Sequence, residues 1–336
     1  MSLITLAVLF FVSFIFTVLA TGVLLPILRR GGLLDEPNER SSHTTPTLYG
    51  GGIAVTLVVI ILFVLLAVNP FDWFASAIDF ASFWMILAVV GLALVSWLDD
   101  IKGVPQIFRL IIHFAAVFIL LLIEPGKGLV FQGVAPLWLD RFVSAILWVW
   151  FINLFNFMDG IDGITGVETA SISIGIVLLA GALGWKQIGQ AHALILAGAG
   201  IGFLWWNWHP AKVFLGDVGS IPLGYLLGWL LLSLAAEGHW MQALILPLYY
   251  LVDATFTLFM RLCRREKLWE AHRDHYYQQA VQKGLSHAKV ANSIAIANVF
   301  LIGFAVSSLR APVTGLVGAA VVIVILLVYF RKKPNT

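Results

Sequence analysis

Five carboxylates in this sequence stand beside apolar runs: Asp99 and Asp100 in WLDDIKG, Asp159 and Asp162 in NLFNFMDGIDG, and Asp217 in FLGDVGS. A carboxylate at the centre of a membrane helix costs about 2.5–3.5 kcal/mol on insertion scales, and a place at a helix end avoids much of that. Avoidance alone does not explain so many acids with so few basic neighbours. Grouped carboxylates repel one another unless a proton or a cation sits among them. Mg2+ suits such a set, because it takes hard oxygen ligands, needs only one or two carboxylates and binds substrate phosphates. Mn2+ accepts the same donors.

Each motif also has a plainer reading. Asp99 and Asp100 end an apolar run, where acids oppose the helix dipole. Helix neighbours diverge by about 100°, so the two cannot both face one ligand in regular helix. They could instead be a solvated helix end with Lys102 as partner. Asn153, Asn156, Asp159 and Asp162 recur at every third position, a spacing that keeps helix neighbours on one face. The two Asp-Gly pairs predict that the helix stops near Met158 and that the acids lie on a tight turn. A plain turn explains the glycines but not the paired amides, and an EF-hand loop needs a different ligand spacing. Asp217 lies between Gly216 and Gly219, ahead of another apolar run. Asp217 or Ser220 could simply cap that helix, whereas free N–H groups at a helix start attract phosphate. Asn207 and His209 lie just upstream, within reach of the same loop. Tyr49-Gly-Gly-Gly52 lacks the Gly-Lys-Ser/Thr of a nucleotide loop and reads as a flexible helix entry. His272, Arg273 and His275 belong to a basic stretch, residues 261–289, that would also suit a membrane-surface helix. Asp253 stands inside an apolar run without an evident partner and reads as structural, and His113 and His192 read as packing histidines.

The elements that must position these groups are membrane helices. Of 336 residues, 60% are hydrophobic and 11% charged, with a mean hydropathy of +0.96. Soluble domains carry about a quarter charged residues, so the chain is expected to be an all-α integral membrane protein with a single polytopic domain, residues 1–336. Segments of about 20 apolar residues predict eleven transmembrane helices: 3–28, 51–69, 81–98, 107–124, 137–155, 166–185, 191–208, 219–236, 240–260, 289–308 and 313–330. The first is no signal peptide, since no positive charge precedes it. Arg29 and Arg30 follow it, which sets its C-terminal end in the cytoplasm. Alternation from there puts sixteen of the twenty Lys and Arg on the cytoplasmic side, leaving Lys127, Arg141, Lys186 and Arg310 outside. The expected orientation is N-terminus periplasmic and C-terminus cytoplasmic, with all five acids on the cytoplasmic face. Cys263 is the only cysteine, which excludes an intramolecular disulfide and a cysteine metal cluster.

These parts suit phosphoryl transfer at a membrane surface, where a protein mainly positions reactants and stabilises charge. The segments DEPNERSSHTTPTLYGGG, WLDDIKGVPQIFR, NLFNFMDGIDG, WNWHPAKVFLGDVGS and AHRDHYYQ occur in this order within residues 35–280. In that combination the chain resembles the polyprenyl-phosphate N-acetylhexosamine-1-phosphate transferases, glycosyltransferase family 4. EAHRDHYYQ is most similar to the branch that initiates O-antigen in lipopolysaccharide biosynthesis. It departs from the three consecutive histidines of the pentapeptide-transferring members, which argues against a pentapeptide substrate. The resemblance implies an inner-membrane enzyme that converts a UDP-N-acetylhexosamine and undecaprenyl phosphate to undecaprenyl-diphospho-sugar and UMP. It implies Asp217 as the main Mg2+ ligand and Asn156 as a second group on the metal–diphosphate. Asp99 would be the base for the lipid phosphate, with Asp100 beside it, and Arg109 a lipid-phosphate contact. Asp159 and Asp162 would position the nucleotide, with Asn153 and Asn207 in the same site. His272 and Arg273 would grip the diphosphate or sugar, and His275 would support them. The expected partners are the two substrates and the lipid bilayer, not nucleic acid. The competing class is a lipid or solute transporter, which places ionisable groups near the midplane and is built from repeats; a non-catalytic scaffold would leave the acids unexplained.

Overall fold

The computed structural model describes residues 3–37, 42, 43, 45–68, 80–123, 130–184, 187–267 and 272–332. Arg40, Lys127, Lys186 and Lys333, four of the charges behind the expected orientation, lie outside the described residues. The helices are α1 (Leu3–Arg30), α2 (Gly52–Val68), α3 (Phe80–Lys102), α4 (Gln106–Ile123), α5 (Leu137–Phe157), α6 (Ile164–Leu183) and α7 (Gln187–Asn207). They continue as α8 (Asp217–Leu234), α9 (Trp240–Ile245), α10 (Leu248–Cys263), α11 (Tyr276–Gln282), α12 (His287–Ser307) and α13 (Pro312–Arg331).

Among the described residues, eight helical stretches are long and apolar enough to cross a membrane. The protein is an all-helical integral membrane protein. The eleven expected segments all fall on helix, but they are not eleven equal spans. The ninth, 240–260, is broken into α9 and α10 around Leu246 and Pro247. Proline has no N–H to donate, and its ring clashes with the preceding turn. A π-type turn, Ala235–His239, joins α8 to α9, with Gly238 at φ 90°; a residue with a Cβ resists that conformation. α2 has only 17 residues.

α8 is the axis of the bundle. It packs against α2, α3, α5, α6, α7 and α9 and is buried along nearly its whole length. Its sequence is apolar all round, as a helix enclosed on every side must be. α1 lies along α7, tied by Ser13 Oγ donating to the Ile195 carbonyl (2.6 Å) and Trp206 Nε1 to the Val18 carbonyl (2.9 Å). The outer helices expose a belt of large apolar side chains, among them Phe11, Phe83, Leu122, Val317 and Ile325, a surface that only lipid or another apolar body can cover.

Three short strands form a small sheet that the sequence reading did not anticipate. β1 (Leu34–Asp35) pairs antiparallel with β2 (Thr47–Tyr49), which pairs parallel with β3 (Val213–Phe214). Strands of two or three residues are too short to show the alternation that marks a strand. The sheet pins the segment after α1 to the start of α8, and the Gly51 and Gly52 amides continue the pairing onto the Phe214 and Leu215 carbonyls (2.9 and 2.8 Å). A Cβ on Gly52 would meet the Gly219 nitrogen at 2.4 Å. Glycine in Tyr49-Gly-Gly-Gly52 is therefore required by backbone contact, beyond any flexibility at the helix entry.

Candidate active site

The end of the bundle that carries this sheet opens into a cavity of about 610 Å³. Its lining includes Asp100, Asn156, Asp159, Asp162, Asn207 and Asp217. These come from the ends of α3, α5 and α7, the turn after α5 and the start of α8, so residues up to 117 apart in sequence meet because alternate helix ends meet.

Asp217 is the first residue of α8, with Gly216 at the cap and no side-chain cap there. Its carboxylate is turned to other helices: Asn156 Nδ2 donates to Oδ1 (2.7 Å) and Arg109 Nη1 donates to Oδ2 (3.1 Å). Asn156 Nδ2 also donates to Ser220 Oγ (2.9 Å). With its amide nitrogen so engaged, Asn156 has its carbonyl oxygen to offer to a ligand. Arg109 also pairs with Asp99 Oδ2, and Asp99 Oδ1 accepts from the Val104 amide (2.6 Å). Asp99 and Asp100 therefore diverge, as their spacing requires. Asp99 is held on Arg109, whereas Asp100 faces the cavity and its buried Oδ2 has no hydrogen-bond partner among the described residues. An unpartnered buried carboxylate oxygen beside a second carboxylate and an amide oxygen is a donor set that fits a hard divalent cation. Burial and the Asp100 carboxylate together push the Tyr49 hydroxyl above its usual pKa.

α5 ends at Phe157 with Met158 as its C-cap, so Asp159 and Asp162 stand on the turn that leads into α6. Thr165 Oγ1 donates to Asp159 Oδ1 (2.5 Å). Burial raises the Asp159 carboxyl to about 7; the Thr165 bond works against that and the Asp217 charge adds to it. Burial would also raise Asp162, but hydrogen bonds from His287 and His209 outweigh it and hold Asp162 below the usual carboxylate range. Asn207 is buried and braces the turn: its Oδ1 accepts from the Gly163 amide and its Nδ2 donates to the Val213 carbonyl (both 2.9 Å).

The remaining expected residues lie apart from the cavity lining. Asn153 donates to the Val149 carbonyl (2.7 Å) and borders an apolar groove of about 590 Å³ between α4, α5 and α10, with Leu110, Phe114, Leu258 and Phe259. His275 is buried against Asp253, Nδ1 to Oδ1 at 3.3 Å. The His272 ring lies tilted against that of His275, ring centres 4.9 Å apart. Burial lowers the His272 pKa to about 4, helped by His275 and Arg261, so its imidazole is neutral at physiological pH. From this segment the cavity receives Gln278. Arg273, next to His272 in sequence, is half-buried, and its carbonyl accepts from Gln282 Nε2 (2.8 Å).

Residues 82–235 match the model of glycosyl transferase family 4. That stretch is similar to the family. Over 311 residues it is 26% identical to the probable undecaprenyl-phosphate N-acetylglucosaminyl 1-phosphate transferase of Bacillus subtilis (strain 168), a match covering 87% of this chain and 82% of the relative. It is 27% identical over 309 residues to decaprenyl-phosphate N-acetylglucosaminephosphotransferase of Mycobacterium tuberculosis (strain ATCC 25618 / H37Rv), covering 82% of this chain and 76% of the relative. The stretch matched by the family model contains Asp99 and the cavity residues Asp100, Asn156, Asp159, Asp162, Asn207 and Asp217. It ends before His272, Arg273 and His275.

Sequence reasoning missed several cavity residues: Asp35, Tyr49, Gln278 and His287. The first two reach the site only through the three-stranded sheet. His287 opens α12, where a lone imidazole at the start of an apolar run was a signal that could have been read. Asp253 does have partners, all within the same local unit: Tyr249 OH and Thr257 Oγ1 on α10, and the Tyr276 and Tyr277 amides at the start of α11.

Proposed function

We propose that this protein transfers a sugar-1-phosphate from a UDP-N-acetylhexosamine to undecaprenyl phosphate, releasing UMP, as the initiating step of O-antigen or another cell-surface polysaccharide. The observation that carries this reading is a polar, acid-lined cavity that shares α5 with an apolar groove, with Arg109 of α4 bonded to Asp217 between them. Arg109 of the acid cluster precedes Leu110 of the groove, and Asn156 of the cluster is one turn beyond Asn153 of the groove. A second apolar hollow of about 560 Å³ continues past Trp150 along α5 towards Val130 and Leu251. A polyprenyl tail fits the apolar path, and its phosphate would reach the cluster where Arg109 stands between Asp99 and Asp217.

In this reading Asp217, Asp100 and the Asn156 carbonyl would hold Mg2+, which would supply positive charge to offset that of the donor diphosphate. Asp99 accepts the proton of the lipid phosphate and positions Arg109, and Asp159 and Asp162 orient the nucleotide. His272 and Arg273 close on the diphosphate or sugar from the loop side, while His275 works through Asp253. The relatives' names make UDP-N-acetylglucosamine the first donor to try. The basic last turns of α1, α3, α10 and α13 support a cytoplasmic, inner-membrane placement of the acid cluster. With Cys263 replaced, a cysteine at 217 should resist an impermeant thiol reagent applied to intact cells; labelling from outside would overturn the orientation.

Membranes given labelled UDP-N-acetylglucosamine and Mg2+ should form labelled lipid and release UMP in equal amounts. A transporter would give labelled sugar across the membrane with neither product, and that result would replace the transferase reading.

A further inference from the structure

Two histidines that the proposed reaction does not use, His209 and His287, converge on Asp162. His209 Nδ1 lies 2.6 Å from Asp162 Oδ2, and His287 Nδ1 lies 3.1 Å from Asp162 Oδ1. The three donor atoms all fall within 4.8 Å of one another. They come from three separate segments: the turn after α5, the loop after α7 and the first residue of α12.

His287 Nε2 faces the Ser42 carbonyl at 3.0 Å, so Nε2 carries a proton. Its Nδ1 lies 3.3 Å from the Asp162 amide nitrogen and 3.1 Å from Asp162 Oδ1. A cation can take the place of the proton that Nδ1 and the carboxylate share. An imidazole whose far N–H is fixed on a backbone carbonyl is also the usual arrangement of a metal-bound histidine. Two imidazoles and one carboxylate are too soft a set for Mg2+ and suit Zn2+ or a neighbouring divalent ion.

We propose that Asp162, His209 and His287 form a site for a transition-metal dication, Zn2+ fitting best, separate from the oxygen-donor cluster at Asp217. Donor atoms on a tetrahedral zinc stand about 3.3–3.5 Å apart, so His209 must draw back slightly from Asp162. His209 is the exposed member, with 38% of its side chain accessible, and has the room to do so. Asp162 and His287 line the cavity, so a fourth ligand can reach the ion from that side. The ion would tie together three segments that frame the cavity and fix Asp162, which hydrogen bonding alone now holds.

The test uses the full-length protein in detergent, stripped with chelator and then given Zn2+ or Co2+ alone. Wild type should retain one Zn2+ per chain after desalting, by elemental analysis. Its Co2+ form should show the visible absorption of a tetrahedral nitrogen–oxygen site, and Zn2+ should raise its melting temperature by mass action. His209→Gln and His287→Gln should each bind at least about tenfold more weakly, since even outer partners of a metal ligand cost that much. Asp217→Asn should keep the tight ion. Should His287→Gln melt far below metal-free wild type, His209→Gln decides alone, because that side chain is exposed. Absence of tight Zn2+ in wild type, retention in His209→Gln, or loss in Asp217→Asn would each overturn the assignment and leave a His–Asp–His hydrogen-bonded cluster.

Discussion

Asp217 and Asp253 are both acids on apolar helices, and their surroundings are opposite. Asp253 is fully buried and accepts from two hydroxyls and two backbone amides, with the His275 ring as a fifth neighbour. Asp217 has 28% of its side chain exposed to the cavity and relies on one amide and one guanidinium from other helices. A carboxylate saturated by the protein's own donors has nothing left for a ligand. Asp253 therefore caps α11 from another helix and sets the segment that carries His272 to Gln278. Asp217, with Asp100 beside it, is left with acceptor capacity that the fold does not consume. Position within an apolar run does not separate structural from chemical acids here; the count of internal donors does.

The comparison predicts that cavity acids lose turnover and keep the fold, whereas Asp253 loses the fold first. Asp99→Asn carries the largest expected effect on rate, a fall of roughly 10²–10⁴ if it acts as base, with donor binding by calorimetry within a few-fold of wild type. Loss of donor binding along with activity would move Asp99 to the donor side. Asp217→Asn should lower kcat by roughly 10²–10³, the usual cost of removing a charge-stabilising group, while its melting temperature stays near that of wild type. If it melts as low as Asp253→Asn, the contrast between the two acids fails.

Asp253→Asn should destabilise the protein by about 3 kcal/mol. One carboxylate oxygen becomes an NH2 that must face donors, either the Tyr276 amide and Thr257 hydroxyl or the Tyr249 hydroxyl and Tyr277 amide. Thermal unfolding in detergent reads this directly, and an unchanged melting temperature would return Asp253 to the chemical class. The smallest effect expected is for Arg273→Lys, a loss of at least about tenfold in kcat. Lysine keeps the charge but not the planar fork that holds a phosphate oxygen pair, and charge-assisted bonds contribute about 1.5–3 kcal/mol. Arg264→Lys and Lys267→Arg should stay near wild type. Equal activity in all three would make this segment a membrane-surface element that reads charge alone.

The five acids beside apolar runs were legible in the sequence for an energetic reason. A carboxylate beside an apolar run is costly, so Asp99, Asp100, Asp159, Asp162 and Asp217 stood out before any contact was known. The end of α5 was legible because Asp-Gly pairs mark a turn. Partners were not legible, because they come from elsewhere in the chain: His287 is 125 residues from Asp162, and Asp253 meets Tyr276 and Tyr277 only after the chain returns. The three-stranded sheet was invisible because its strands are shorter than one alternation can show. The break between α9 and α10 had a visible cause in Pro247, which a hydropathy window smooths over.

The central claim is that the phosphate attached to the sugar travels with it. In the proposed reaction, attack by the lipid phosphate on the β-phosphorus of the donor breaks the α–β phosphoanhydride and leaves UMP. Purified protein, undecaprenyl phosphate and Mg2+ should therefore be given UDP-N-acetylglucosamine carrying ³²P at the β position. The account predicts label in the lipid fraction and unlabelled UMP in solution, with both lost in Asp217→Asn. Label released as UDP would show transfer of the sugar without its phosphate, and would contradict the account.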